Sequence, residues 1–175
     1  MKNKNERIHF VVKAGLIAAL YAVLTYVASL LGMAYMGVQF RISEALTVLP
    51  VFTPAAIPGL VIGCFLGNLG SPFGMVDVIC GTMATLVAAL FTYGVRNLRI
   101  RNIPWLAPLG PVLANALIVG LEVAYFLPEG LTLAGFAASA ASVGVGELVI
   151  CYALGLPLVI FLEKSGLARK WSLSV

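Results

Sequence analysis

The stretch RISEALTVLPVFTPAAIPGLVIGCFLGN, residues 41–68, decides how this chain folds. It is apolar enough to lie in a membrane, but Pro50, Pro54 and Pro58 interrupt it. Proline removes a backbone donor, and the residue before a proline disfavours the α-helical region, so the stretch is not one regular helix. Two interpretations remain, a single broken crossing or two short helices joined near Thr53 and Pro54.

The composition places the whole chain in a membrane. Of its 175 residues, 61% are hydrophobic and 10% are charged, more apolar surface than a soluble domain of this size could cover with polar groups. A helical crossing takes about 20 apolar residues, so the chain has room for five or six crossings and no soluble domain. The apolar run 11–31 has no small-residue cleavage site, so we expect a first crossing rather than a removable signal.

The positions of the basic residues decide between one and two crossings in 41–68. Ten of the eleven lie in three clusters, and the positive-inside rule places all three on the cytoplasmic side. Only two crossings in this stretch achieve that. We therefore predict an all-α integral membrane protein, one domain of residues 1–175, with six transmembrane helices in a single bundle and both termini cytoplasmic. The clusters are Lys2, Lys4, Arg7 and Lys13; Arg96, Arg99 and Arg101; and Lys164, Arg169 and Lys170.

Polar residues gather in the outer half of this predicted bundle. The crossings cover about residues 10–31, 42–53, 55–70, 75–95, 105–127 and 137–162. A carboxylate inside a membrane costs about 2.5 to 3.5 kcal/mol on insertion scales, which makes a functional site the default interpretation. A pocket open to the outside would satisfy these groups. The predicted pocket residues are Glu44, Asp77, Glu122, Glu147, Arg41, Asn68 and Asn115.

Structural roles remain open for several of these residues. Asp77 could be a helix cap or a first-turn residue that faces the helix dipole. Arg41 and Glu44 are three residues apart and could form an ion pair. Asn68 and Asn115 could make hydrogen bonds between helices. For Glu122 and Glu147 we favour a functional role over a structural one, because at least eighteen nearly uncharged residues surround each of them.

Small residues recur every four positions on two predicted crossings. This spacing lets another helix approach closely. The glycine stripe fits contact between helices of this chain, whereas the alanine stripe fits either such contact or a partner protein. The stripes are Gly59, Gly63 and Gly67, and Ala14, Ala18 and Ala22.

Residues 38–46, VQFRISEAL, and their continuation through LPVFTPAAIPGL to Asn68 resemble the substrate-binding S components of energy-coupling-factor (ECF) transporters. The resemblance is to the QueT-type family assigned to queuosine precursors. It continues through Asp77, GTMATL at 81–86 and GVGE at 144–147, and so covers most of the chain. It implies a six-helix subunit that captures a vitamin-like solute near the outer face, with the loop of about residues 32–40 as a lid.

The same resemblance implies partners. The alanine stripe would dock on a transmembrane coupling protein, which two ATPase subunits drive. This chain carries no G-x-x-x-x-G-K-[ST] phosphate loop, in agreement with ATP hydrolysis in another subunit.

The implied substrate class makes chemical sense of the pocket residues. A 7-deazaguanine presents a ring N–H beside an exocyclic amino group, a donor pair that one carboxylate accepts in bidentate fashion. We predict Glu147 for that role, with Glu122 or Glu44 balancing the charge of an aminomethyl group. Candidates for hydrogen bonds to the ring or for stacking on it are Asn68, Asn115, Tyr35, Phe40 and Tyr125.

Two other classes of function compete with this interpretation. An intramembrane enzyme would need a nucleophile, a base or a metal cluster, but the chain has no H-E-x-x-H or G-x-S-x-G, and its single histidine, His9, lies at the opposite edge. A self-contained proton-coupled carrier or channel for a small cationic solute is the alternative, because buried carboxylates also mark proton pathways. We predict a plasma-membrane protein without enzymatic activity, cofactor, metal or nucleic-acid partner. The sequence leaves open which heterocycle is bound, a nitrile, an aminomethyl form or another.

Overall fold

A computed structural model of the chain describes residues 4–32 and 41–168. Within these residues the chain forms α-helices, one 3₁₀ helix and one π-helical turn. In chain order the elements are α1 (Lys4–Leu30), the 3₁₀ helix (Ile42–Val51), α2 (Ala56–Asn68), α3 (Met75–Gly94), α4 (Leu109–Tyr125), α5 (Leu133–Ile150), the π-helical turn (Cys151–Gly155) and α6 (Leu156–Lys164).

The helices have the length and composition of a membrane bundle. In the described part of the chain, α1, α3 and the continuous segment Leu133–Lys164 are long and apolar enough to cross a membrane, and the 3₁₀ helix, α2 and α4 are shorter apolar helices. The prediction of an all-helical membrane bundle is confirmed, with α5, the π-helical turn and α6 together forming the sixth segment.

The 3₁₀ helix lies at the centre of the bundle. Residues 43–51 are all buried, and the helix contacts α1, α2, α3, α5 and α6. At about 2.0 Å per residue its ten residues span about 20 Å, whereas an α-helix of that length would span about 15 Å. The 3₁₀ geometry therefore lets a short segment reach further through the bundle, where protein surrounds its backbone.

The contacts between α1 and α2 show that residues 41–68 cross the bundle twice. The glycines of α2 lie directly against α1, and the residue numbers of the contacting pairs rise together on both helices. The two helices therefore run in the same direction, which requires the segment between them, the 3₁₀ helix, to return. The contacting pairs are Gly59 with Ala14, Gly63 with Ala18, and Gly67 with Thr25.

Two of the three alanines of the stripe pack inside the chain, and docking of the stripe on a partner stays a prediction. Ala14 and Ala18 are buried, and their backbone carbonyls lie against the glycines of α2. Ala22 is half-buried. Ala14 and Ala18 thus provide close contact within the chain, because glycine on one helix and alanine on the other let the two backbones approach. This was the other interpretation of the spacing of the stripe.

Six crossings bring both ends of the described chain to one face of the bundle. An ion pair between Nη1 of Arg99 and Oε1 of Glu163, 2.6 Å apart, joins the loop after α3 to the end of α6 at this face. The face also carries the start of α1, so the described members of all three basic clusters share it. We call it the basic end.

The close contact of α1 and α2 predicts opposite effects for two glycine-to-alanine substitutions. In Gly63→Ala the new Cβ would lie 2.7 Å from Cβ of Tyr21 and 2.8 Å from the carbonyl oxygen of Ala18. We expect this clash to lower the free energy of unfolding by about 1 to 3 kcal/mol, and the melting temperature in detergent by about 2 to 10 °C. Gly15→Ala, with nothing within 4 Å of its Cβ, should leave the melting temperature unchanged or raise it. An equal decrease in both variants would contradict this packing.

Candidate functional site

Four of the seven acidic residues of the chain are buried inside the bundle. Burying an isolated charge is expensive unless it is paired or hydrogen-bonded, so the partners of each carboxyl group indicate its role. The four come from different helices, the 3₁₀ helix, α3, α4 and α5. They are Glu44, Asp77, Glu122 and Glu147, which are 0%, 1%, 4% and 3% exposed.

Asp77 is held in a buried ion pair with Arg41. Nη2 of Arg41 lies 3.1 Å from Oδ1 and 3.4 Å from Oδ2 of Asp77. The pair joins the residue before the 3₁₀ helix to the first turn of α3. The pairing of Arg41 with Glu44 that the sequence left open is therefore not the ion pair that forms. No side chain caps α3, whose N-cap position is Gly74, so Asp77 is not a cap.

Asn68 ties the end of α2 to α3. Its Nδ2 atom donates to the backbone oxygen of Asp77 at 3.2 Å and contacts Sγ of Cys64 at 3.4 Å. A Cβ at Gly81 would collide with this amide. Asn68 thus has the interhelical role that the sequence left open, next to the Arg41–Asp77 pair.

Glu44 is partly satisfied. The hydroxyl of Tyr21 donates a hydrogen bond to its Oε1 atom, whereas Oε2 has no hydrogen-bond partner among the described residues. The backbone oxygen of Glu44 accepts a 2.5 Å bond from Oγ1 of Thr47, which helps to hold the 3₁₀ turn. Glu44 therefore offers one buried acceptor atom to a further group.

Glu147 and Asn115 lie beside Glu44. Sγ of Cys151 lies 3.7 Å from the backbone oxygen of Glu44, and the side chain of Asn115 interacts with the carboxyl groups of both Glu44 and Glu147. Sγ of Cys151 contacts Oε2 of Glu147 at 3.6 Å, and the Nδ2 donor of Asn115 has no hydrogen-bond partner within the described ranges. We call Glu44, Glu147 and Asn115 the central acid cluster. It combines carboxylate acceptors with an amide in a buried position.

Glu122 belongs to a different environment. It lies with Tyr125 on a cavity of about 550 Å³ between α3 and α4, and neither carboxyl oxygen has a partner in residues 4–32 and 41–168. Its electrostatic neighbours are Asp77 and Arg41. Tyr125 is 65% exposed, with its ring edge against Phe126. The structure therefore separates Glu122 and Tyr125 from the central acid cluster. We call this space the lateral cavity.

Two residues of the site were missed at the level of sequence, Tyr21 and Cys151. Tyr21 lies on the buried face of α1 together with Ile17, Thr25 and Ala28. A polar side chain on a buried helix face indicates a hydrogen-bond partner inside the bundle. Cys151 follows Glu147 by one helical turn and so shares its face. The predicted stacking residues Tyr35 and Phe40, and the predicted lid, lie outside the described residues apart from Gly32. No group that could hold a metal ion is present in the part of the chain that the structure describes.

A sequence model described as QueT transporter matches residues 11–164, well over half of the chain. This chain belongs to the QueT transporter family. The family resemblance of the RISEALTVLP region is thereby confirmed. The family match and the long apolar helices together identify this chain as a membrane transport protein.

Among curated proteins, the chain is 38% identical over 84 residues to the queuosine precursor transporter QueT of Lactococcus lactis subsp. cremoris. The match covers 48% of this chain and 49% of the relative, so the chain matches about half of the length of that relative. No solved structure matches the chain significantly.

The buried ion pair predicts a strong dependence of stability on both partners. Arg41→Gln or Asp77→Asn alone leaves one buried charge unpaired. We expect either variant to lower the free energy of unfolding by about 3 to 5 kcal/mol. The double variant should melt at a higher temperature than either single variant, because no unpaired charge remains. Glu163→Gln breaks the more exposed pair with Arg99 and should cost at most about 1 kcal/mol. Purely additive effects of the two buried substitutions would rule out direct coupling.

Proposed function

We propose that this chain is the substrate-binding membrane subunit of an ECF-type importer. It captures a queuosine precursor of the 7-deazaguanine type from outside the cell for ATP-driven uptake. The proposal rests on membership of the QueT transporter family and on the printed name of the Lactococcus relative. Its chemistry rests on one observation, the two neighbouring buried carboxyl groups of Glu44 and Glu147 beside Asn115.

The central acid cluster matches the donors of a 7-deazaguanine. Glu147 accepts the ring N–H and the exocyclic amino group together, since a carboxylate is the acceptor that fits two parallel donors. Nδ2 of Asn115, which is buried and without a partner among the described residues, donates to the ring carbonyl or to a ring nitrogen. The contact with Nδ2 of Asn115 satisfies a donor that otherwise has no hydrogen-bond partner among the described residues.

Glu44 sets the preference for substrate charge. Its Oε2 atom is the acceptor that remains after Tyr21 has bonded Oε1. Arg41 is bonded to Asp77, so neither Glu44 nor Glu147 has an ion-pair partner of its own among the described residues. A cationic aminomethyl group therefore suits this site better than an uncharged nitrile, and far better than an anion.

The direction of transport follows from the charges at the two ends of the bundle. The basic end faces the cytoplasm under the positive-inside rule, so both termini are cytoplasmic in the plasma membrane. The central acid cluster then belongs to the outer half, because Glu44 lies in the first turn of the 3₁₀ helix, at the end opposite the basic end. The release step toward the cytoplasm is driven by the ATPase partners.

The partner surface lies on the outward face of α1. Ala14 and Ala18 pack against α2. On the other side of α1, the exposed side chains are Val12, Leu16 and Val23, at 61%, 59% and 57%. Gly15 lies on this face with open space above it. A coupling protein that docks through α1 therefore contacts this apolar face rather than the buried alanines.

Binding measurements on two glutamine variants test the site. Glu147→Gln keeps the shape but turns one acceptor into a donor, so affinity for the nitrile and the aminomethyl 7-deazaguanine should both fall at least about tenfold. Glu44→Gln should weaken binding of the aminomethyl form more than binding of the nitrile form. Isothermal titration of the purified protein measures both. Glu129→Gln, an exposed loop residue, is the matched control, and unchanged affinity of Glu147→Gln would exclude the role of Glu147.

Uptake measurements separate the importer subunit from a self-contained carrier. Cells that express this chain alone should bind labelled precursor without accumulating it. Co-expression with an ECF coupling protein and two ATPase subunits should produce uptake, which ATPase subunits with an inactivated phosphate loop should abolish. Uptake by this chain alone would instead favour the proton-coupled carrier.

A further inference from the structure

The lateral cavity has apolar walls and one acidic group, and the proposed transport function does not use it. Val76 and Cys80 of α3 and Leu117 and Leu121 of α4 form walls of this space of about 550 Å³. Three of these four side chains are 40–58% exposed on the surface of the bundle, and Cys80 is half-buried. In a membrane bundle this surface faces lipid, so the cavity opens toward the bilayer.

Glu122 gives the lateral cavity its chemistry. The residue is 4% exposed, and both carboxyl oxygens are buried without a hydrogen-bond partner in the described residues. Its nearest charged groups, Asp77 and Arg41, are bonded to each other. A desolvated carboxyl group with two free acceptors is costly, and a cation that carries N–H donors would offset that cost.

The depth of Glu122 indicates where such a cation comes from. Glu122 lies three residues before the end of α4 at Tyr125, which is about 4.5 Å along the helix. Tyr125 stands at the same end with 65% of its surface exposed, as is typical of aromatic residues at the level of lipid headgroups. The carboxyl group is therefore within reach of the headgroup region, and the apolar walls extend from it toward the acyl chains.

We propose that the lateral cavity binds a membrane phospholipid whose headgroup carries a primary amine. The ammonium group donates to the carboxylate of Glu122, and the carbon chains of the lipid contact the apolar walls. A primary ammonium offers three N–H donors to the two oxygens, whereas the quaternary ammonium of choline offers none. This difference selects between two lipids of equal net charge.

Cys80 provides the test, because it lines the lateral cavity whereas Cys64 and Cys151 are fully buried. The full chain is placed in nanodiscs of phosphatidylcholine with rising fractions of phosphatidylethanolamine. The rate at which N-ethylmaleimide alkylates Cys80 is followed by mass spectrometry of its peptide. We expect phosphatidylethanolamine to slow the alkylation in a saturable manner. In Glu122→Gln the fraction required for half protection should rise about tenfold.

Glu129→Gln removes a charge from an exposed position seven residues away and should leave the protection as in the unchanged chain. Equal alkylation rates in both lipids would overturn the proposal, as would full protection of Glu122→Gln by phosphatidylethanolamine. A further arm adds soluble phenethylamine to discs of phosphatidylcholine alone. Protection by phenethylamine together with none by phosphatidylethanolamine would show that the amine comes from solution, and would overturn the lipid assignment.

Discussion

The enclosed 3₁₀ helix constrains how the helices around it pack. Nine consecutive residues, 43–51, are buried there, so neighbouring helices must surround a segment that is too short to cross a bilayer as a regular α-helix. Gly59, Gly63 and Gly67 permit this enclosure, because they let α2 lie against the backbone of α1. Gly155 of the π-helical turn does the same beside Val48. The 3₁₀ helix and the π-helical turn therefore pack against each other beside the central acid cluster.

This enclosure also sets the electrostatics. Among the described residues the bundle contains one buried basic side chain, that of Arg41, and four buried carboxyl groups. The ion pair of Arg41 with Asp77 neutralises one of them and anchors α3 to the start of the 3₁₀ helix. The other three have no cationic partner of their own in residues 4–32 and 41–168, so the bundle carries buried acceptors that suit donor-rich or cationic molecules.

The arrangement divides these acceptors between two environments. The central acid cluster is polar, with an amide, a hydroxyl and a thiol around two carboxyl groups. Glu122 stands alone among apolar walls beside the membrane. A flat heterocycle with several donors needs the first kind of environment, and an amphiphile with one cationic group needs the second. One chain thereby holds two buried acidic environments of different polarity, with Arg41 in electrostatic range of the acids of both.

Hydropathy, proline spacing and the positions of the basic residues along the chain were enough to predict the membrane class, the double crossing of residues 41–68 and the four acids inside the bundle. The tertiary structure alone decided that Arg41 pairs with Asp77 rather than with its neighbour Glu44, and that Ala14 and Ala18 pack inside the chain. It also decided that Glu122 lies apart from Glu147. These outcomes depend on which helix faces meet, and that follows from close packing of residues distant in sequence, which no local pattern contains.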